Sequence, residues 1–332
     1  MFVVHSYPLA VVLCVITMLC WGSWANTRKL ASPDWRFELF YWDYTLGVLL
    51  LTLVLGLTLG SSGTAGRSFA ADLAQASAAS WGSALLGGAV FNLANILLVA
   101  AIEIAGMAVA FPIGIGLALL IGVILNYIAE PVGNIGLLAL GVLLVMLAIV
   151  LDAVAYRRLA GGATGVSRKG LVLSLACGVF MGLFYRFVAA SMYDDPSVPT
   201  AGKMGSYAAV FVFAVGVLLS NFVWNTYAMK RPFVGSPVGF GSYFRGSFGT
   251  HLTGVLGGLI WGTGMSLNLI ASGRAGFAIS YGLGQGATMV AAVWGVFIWK
   301  EFRASPAGTS KLLAAMFVSY LGGLVLIVLA RM

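Results

Sequence analysis

Long runs of apolar residues alternate with short polar stretches along the whole chain, and these runs set its architecture. A helix needs roughly 20 apolar residues to cross about 30 Å of hydrocarbon, so each run is long enough for one membrane crossing. Ten runs are found, over residues 8–26, 40–60, 82–103, 106–129, 134–153, 170–190, 204–227, 247–271, 275–299 and 311–330. The pattern predicts an all-α integral membrane protein with ten transmembrane helices.

Two segments of the chain repeat one another. Residues 105–116 read AGMAVAFPIGIG, and residues 275–286 read AGFAISYGLGQG. The register extends without a gap into the preceding apolar run, where Gly88 matches Gly258. Each copy would contain five helices, an odd number, so two tandem copies must lie in opposite orientations. We therefore expect a five-plus-five inverted repeat, with residues 1–160 as the first half and 161–332 as the second.

Composition and charge exclude several classes of protein. A chain with 61% apolar and 8% charged residues exposes too much apolar surface to be a soluble domain. When the connections are numbered alternately, most of the 18 Lys and Arg residues fall on one side, which is then cytoplasmic. We expect a multi-pass plasma membrane protein, in the bacterial inner membrane, with both termini extracytoplasmic. The charge bias explains the net charge of +8 without nucleic acid as a partner.

The sequence offers little support for a catalytic site or a metal site. His5 and His251 have no metal-ligand spacing with a cysteine or a carboxylate, and the three cysteines fall inside predicted helices, as small packing residues do. We expect no enzyme activity, no metal and no cofactor. The expected partners are the lipid bilayer and a small-molecule substrate, for a monomer or homodimer.

Polar and aromatic residues inside the spans are the candidates for a substrate site. An amide in hydrocarbon needs a partner or a cavity, and Asn92 and Asn95 are i, i+3 neighbours on the predicted third helix. An interhelical hydrogen bond is the alternative for such amides. Tyr281, Gln285 and Thr288 form an i, i+4, i+7 stripe on the ninth. The candidate substrate-binding residues are Trp21, Asn92, Asn95, Phe111, Tyr185, Trp261, Asn268, Tyr281, Gln285 and Thr288.

Charged residues inside the spans are few. None stands clearly at the centre of a span, which favours a neutral polar solute over an ion. His251 and Glu103 are the candidates for proton coupling, because histidine titrates near physiological pH and Glu103 ends a span. The alternatives are a packing role for His251 and a helix-capping role for Glu103. Glu130 and Asp152 also end helices, where they are expected to stay hydrated and charged.

The chain resembles a known superfamily in its ten-helix plan and in two segments, RKGLVLSLACGVF at residues 168–180 and GGLIW at residues 257–261. These resemble the drug/metabolite transporter superfamily, and more narrowly the branch with rhamnose–proton symporters, glucose/ribose porters and plant ureide permeases. The resemblance implies a central cavity lined by helices 1, 3, 4, 6, 8 and 9, with proton coupling.

We interpret the chain as a secondary active transporter that works by alternating access. Its substrate would be a small neutral polar solute, in the first place a monosaccharide carried by proton symport. The indoles of Trp21 and Trp261 would stack on the sugar, and the amides would bind its hydroxyls. Two alternatives stay open, a ureide or purine permease and a drug or metabolite exporter of the same fold.

Overall fold

The computed structural model describes residues 1–63, 65–161 and 167–332, and they are nearly all helical. Within these ranges ten helices are long and apolar enough to cross a membrane, which confirms the predicted fold class and number of spans. They are α1 (Tyr7–Leu30), α2 (Phe37–Leu57), α3 (Ala78–Ala105), α4 (Met107–Ala129), α5 (Ile135–Leu159), α6 (Arg168–Ala190), α7 (Ser206–Lys230), α8 (Phe248–Ala275), α9 (Phe277–Ile298) and α10 (Thr309–Leu329).

The helix α3 begins at Ala78, before the apolar run that predicted it, and α8 begins at Phe248, one residue after the start of its run. Each has 28 residues, and each is preceded by a serine, Ser77 or Ser247, whose hydroxyl accepts a hydrogen bond from a backbone N–H of the first turn. Such a cap satisfies a backbone donor that has no partner inside the helix. The capping serine marks the start of each helix, which an apolar run locates only to within a few residues.

The boundary predicted between the halves, after residue 160, falls in the connection between α5 and α6. The helix α5 continues to Leu159 and α6 begins at Arg168, while residues 162–166 lie outside the described part of the chain. Two short helices, Phe69–Gln75 and Phe240–Phe244, lie in the connections after α2 and α7.

The spanning helices α4 and α9 are irregular in their interior. In α4 the residues Phe111–Ile115 form a wide π-helical turn that contains Pro112, and proline removes a backbone donor from the helix. In α9 the regular helix ends at Gly284 and resumes at Ala287. Irregular backbone inside a membrane is tolerated where protein or a cavity surrounds it. Both irregular turns lie beside the cavity described below.

A single glycine joins α3 to α4, and another joins α8 to α9. Gly106 has φ 78° and ψ 163°, and Gly276 has φ 83° and ψ 151°. Only glycine adopts this region of φ and ψ without strain, so the sequence AG at both places allows the chain to reverse within one residue. The two glycines are equivalent in the sequence repeat.

Close packing at glycines also occurs in matched places. Gly88 on α3 lies against the backbone of α7 around Val217, and Gly258 on α8 lies against the backbone of α2 around Val48. Small residues allow helix backbones to approach closely in a membrane. An inverted repeat would produce such matched contacts, and the division of the chain near residue 160 stays a prediction.

Candidate functional site

A cavity of about 340 Å³ lies between the helices, within the size range of small-molecule sites. Helices 1, 3, 4, 6, 8 and 9 all contribute to its wall, and α2 adds two phenylalanines. Its wall includes Trp21, Trp24, Arg28, Phe37, Phe40, Phe91, Asn95, Leu98, Val99, Ile102, Glu103, Phe111, Ile115, Met181, Phe184, Trp261, Gln285, Thr288 and Ala291.

One end of the cavity is open and the other is closed. Exposed residues at the ends of α1 and α3, Arg28 and Glu103, border the open end. At the closed end, Tyr185 donates a hydrogen bond to Asn268 Oδ1 at 2.7 Å and lies 3.0 Å from Ser280 Oγ, and all three residues are buried. The cavity is therefore accessible from the side to which the charge bias assigns the cytoplasm.

Aromatic rings form one wall. The rings of Trp21 and Trp261 are stacked, with centroids 5.8 Å apart and planes inclined by 14°. Phe91 lies against Trp261, with centroids 4.4 Å apart. Flat apolar faces of this kind bind planar groups of a ligand.

Three polar side chains face this wall from α3 and α9. Asn95 donates a hydrogen bond to the Tyr41 hydroxyl at 3.1 Å, and Thr288 donates one to the Gln285 carbonyl at 2.8 Å. The side-chain amide of Gln285 makes no hydrogen bond to any described residue, although Gln285 is only 9% exposed. Gln285 therefore offers both a donor and an acceptor to a molecule in the cavity.

The structure brings together six of the ten predicted substrate residues. The six that line the cavity are Trp21, Asn95, Phe111, Trp261, Gln285 and Thr288. Asn92, Tyr185, Asn268 and Tyr281 do not line it. Their role in substrate binding stays a prediction, and each of the four donates a hydrogen bond to a neighbouring helix.

The contacts of these four side chains account for their positions. The Asn92 amide donates to Ser220 Oγ at 2.9 Å and to the Val217 carbonyl at 3.2 Å, the interhelical alternative for this residue. Asn268 donates to the Ser280 carbonyl at 2.8 Å, in the network with Tyr185. The Tyr281 hydroxyl lies 3.1 Å from the Met181 carbonyl, between α4 and α6.

The three residues of the predicted polar stripe on α9 do not share one face, because the helix is irregular between them. Hydrogen bonds from Gly286 to Leu283 and from Thr288 to Gln285 span three residues instead of four, so the helix is locally overwound. The overwinding changes the angular relation of residues on either side. Gln285 and Thr288 thus face the cavity while Tyr281 faces α4 and α6.

Several cavity residues carry no polar signal in the sequence. Phe91 and Phe184 lie in apolar runs of the sequence. A phenylalanine that lines the cavity cannot be distinguished there from one that faces lipid. The spacing of Phe91 and Asn95, i and i+4, could have placed both on one face. Arg28 belongs to a 3₁₀ turn, Trp24–Leu30, which continues α1.

His251 lies outside the cavity, in a cluster at the ends of α2 and α8. Its Nδ1 is 2.9 Å from Asp43 Oδ2, and the Tyr243 hydroxyl donates to Asp43 Oδ1 at 2.6 Å. Burial raises the pKa of Tyr243, which keeps this hydroxyl a donor. The ring of Trp35 meets His251 edge-on at 5.3 Å. Glu103, the other coupling candidate, borders the open end of the cavity.

Comparison with known proteins identifies the family. The family model described as "Ureide permease" matches residues 165–330, half of the chain. The chain belongs to the ureide permease family. Members of this family are named as permeases, which supports a transporter of small solutes.

Relatives over the full length support the assignment. Ureide permeases 1 and 2 of Arabidopsis thaliana are each 22% identical to the chain, and each alignment covers 97% of the chain and 96% of the relative. Ureide permease 4 of the same plant is also 22% identical, with 98% of both chains covered. These relatives favour the ureide or purine alternative over the monosaccharide interpretation.

One chain of known crystal structure has the same fold. It superposes with a TM-score of 0.61 at 18% sequence identity, over 97% of this chain and 99% of that one. At this identity the likeness concerns the fold alone.

Proposed function

We propose that this family member carries a neutral ureide, or a purine of related chemistry, across the membrane. The observation that supports it best is the free side-chain amide of Gln285 beside the stacked rings of Trp21 and Trp261. A ureide and a purine base each present a flat face together with adjacent N–H and C=O groups. A glutamine amide matches such a pair with one acceptor and one donor.

The small number of polar groups favours a flat amide over a sugar. Each hydroxyl of a monosaccharide would lose a hydrogen bond to water on entering, and an unmet one is costly. Among the described residues the inner wall offers Asn95, Gln285 and Thr288, and the first and last of these already donate to protein. A planar ligand needs fewer such partners because its faces pack on aromatic rings.

The charges around the cavity favour a neutral ligand. The charged residues that line it are Arg28 and Glu103, of opposite sign, and both lie at the open end. A charged ligand held deeper would have no counter-ion among the described lining residues.

Transport would proceed by alternating access between two inverted five-helix halves. The matched one-residue connections at Gly106 and Gly276 support this plan, as does the position of the cavity between helices of both halves. Proton symport is part of the proposal, with His251 and Glu103 as the coupling candidates from the sequence. A bacterial inner membrane location is likewise proposed.

Uptake by cells tests the substrate class. Cells that express the protein would be given radiolabelled allantoin, hypoxanthine, ribose, glucose and rhamnose, with empty-vector cells as the control. We expect uptake of the ureide or the purine base, inhibited by a proton uncoupler. Saturable uptake of a sugar with no uptake of either heterocycle would contradict the proposal, and so would efflux of lipophilic cations.

Membrane orientation gives a second prediction. In a variant without the native cysteines, Ser6→Cys should react with an impermeant thiol reagent in intact cells, because Ser6 precedes α1 on the side assigned to the exterior. Ala307→Cys, an exposed position before α10, is the matched control and should react only after permeabilisation. Labelling of Ala307→Cys alone in intact cells would reverse the orientation.

A further inference from the structure

Asp152 on α5 is buried, contrary to the expectation that it stays hydrated at a helix end. It is only 5% exposed. The sequence places it one turn before Tyr156 and close to two arginines, which suggested a solvated position. The packing of α10 against α5 covers it instead.

The carboxylate of Asp152 has no compensating charge. Its Oδ1 makes no hydrogen bond to any described residue, and none of the ion pairs in the described ranges includes it. An ionised carboxylate removed from water without a cation or donors is strongly disfavoured. The protonated acid is the form of Asp152 that this environment stabilises.

The charged neighbour that acts on Asp152 is acidic. Glu301, in the turn Glu301–Ala304, interacts electrostatically with Asp152, accepts a hydrogen bond from Tyr156 at 2.9 Å and lies 3.6 Å from Lys29 Nζ. The helix α4, which also packs on α5, contains no Asp, Glu, His, Lys or Arg.

Apart from Tyr127 on α4 and the exposed Arg303 in the turn Glu301–Ala304, the remaining titratable groups of these elements are three cations and one phenol. The cations are exposed, and they are Arg157 and Arg158 on α5 and Lys311 on α10. The phenol is that of Tyr320 on α10, which is buried and interacts electrostatically with Asp152.

Tyr320 on α10 lies close to both Asp152 and Thr288. Its hydroxyl faces Thr288 of the cavity wall but makes no hydrogen bond of ordinary geometry with any described residue. On the other side of Asp152, Tyr156 and the partly exposed Glu301 lead to the surface. Asp152 thus lies one turn from Tyr156, which bonds to a partly exposed residue, and close to Tyr320, which lies near the cavity wall.

We propose that Asp152 is the proton-binding site of the transport cycle. The inference rests on the proposed function, a secondary transporter driven by a proton gradient. A hydronium ion on one side of the membrane gives its proton to the carboxylate, which becomes a neutral acid, and the proton is released to water on the other side when α5 or α10 moves and hydrates the site. A metal cation would need several oxygen ligands, and the described residues contain no group of three or more His, Cys, Asp or Glu able to hold one.

Reconstituted vesicles separate coupling from translocation. Wild type and Asp152→Asn would be compared for accumulation driven by a pH gradient and for exchange of substrate at equal pH on both sides. Asp152→Asn should lose accumulation and retain exchange, because the amide resembles the neutral acid but carries no proton. Asp152→Glu should recover accumulation in part. Glu130→Gln, which removes a carboxyl at the opposite end of the protein, is the matched control and should accumulate like wild type.

Infrared spectroscopy tests the site without transport. Purified wild type should show a carboxylic-acid carbonyl band that disappears as the pH is raised, and Asp152→Asn should lack this band. No substrate uptake by wild type would refute the proposed function, while the infrared band would still report on Asp152.

Three results would overturn the inference. They are accumulation by Asp152→Asn, a wild-type infrared spectrum without the titrating band, and loss of accumulation in His251→Gln or Glu103→Gln alone. Accumulation by wild type that follows a sodium gradient and not a pH gradient would also overturn it.

Discussion

Gln285→Leu is expected to abolish transport while the protein stays folded in the membrane. The leucine fills a similar space but leaves an amide N–H and C=O of the bound ligand without partners, at a cost of about 3 kcal/mol, or roughly a hundredfold in affinity. The wild-type amide makes no bond to the described protein, so little stability depends on it. Uptake at saturating and limiting substrate, at matched expression, measures the effect.

Asn92→Leu is the matched control for this prediction. Asn92 carries the same kind of amide inside a span, but its amide bonds to α7 and does not face the cavity. We expect this variant to melt at a lower temperature and to keep the wild-type substrate concentration for half-maximal uptake. Normal uptake by Gln285→Leu would remove Gln285 from the site. A loss of uptake accompanied by reduced thermal stability would instead make Gln285 a tether between helices.

Gly88→Leu should prevent the packing of α3 on α7. The β-carbon of a side chain at position 88 would lie 2.7 Å from the Val217 N atom. The obstructing atoms belong to the backbone, which cannot move away by a change of rotamer. We expect destabilisation of more than about 4 kcal/mol, enough to remove most folded protein. Size-exclusion chromatography and thermal melting of detergent-solubilised protein would measure it.

Gly82→Leu serves as its control on the same helix. A methyl carbon at Gly82 meets no atom within 4 Å, so the substitution should leave the melting temperature nearly unchanged. Equal losses in the two variants would show that close packing at Gly88 does not decide the outcome.

The sequence predicted the spans well because a single physical requirement, an apolar length that crosses the bilayer, determines them. It predicted the polar site less well. Asn92 and Asn95 have the same chemistry on one helix, and only the position of α7 decides that the first bonds to protein while the second faces the cavity. That position depends on contacts between residues far apart in the chain.

Burial at a helix end was harder still to predict. Asp152 precedes basic residues near the end of α5, a pattern typical of a hydrated boundary. Its environment depends on α10, which begins 157 residues later in the chain, at Thr309. The apolar sequence of α10 does not indicate which helix it packs against. A pattern read along one helix could not reveal this contact.

The one-residue connections at Gly106 and Gly276 also restrict where related chains can differ in length. The alignments to the Arabidopsis relatives extend over 384 to 401 positions, more than the 332 residues of this chain, so those relatives carry additional residues. A reversal made by one glycine has no room for an insertion, because each added residue would separate the helix ends that it joins. Length variation in the family should therefore fall in the longer connections, such as residues 58–77 and 231–247, and leave both glycine reversals intact.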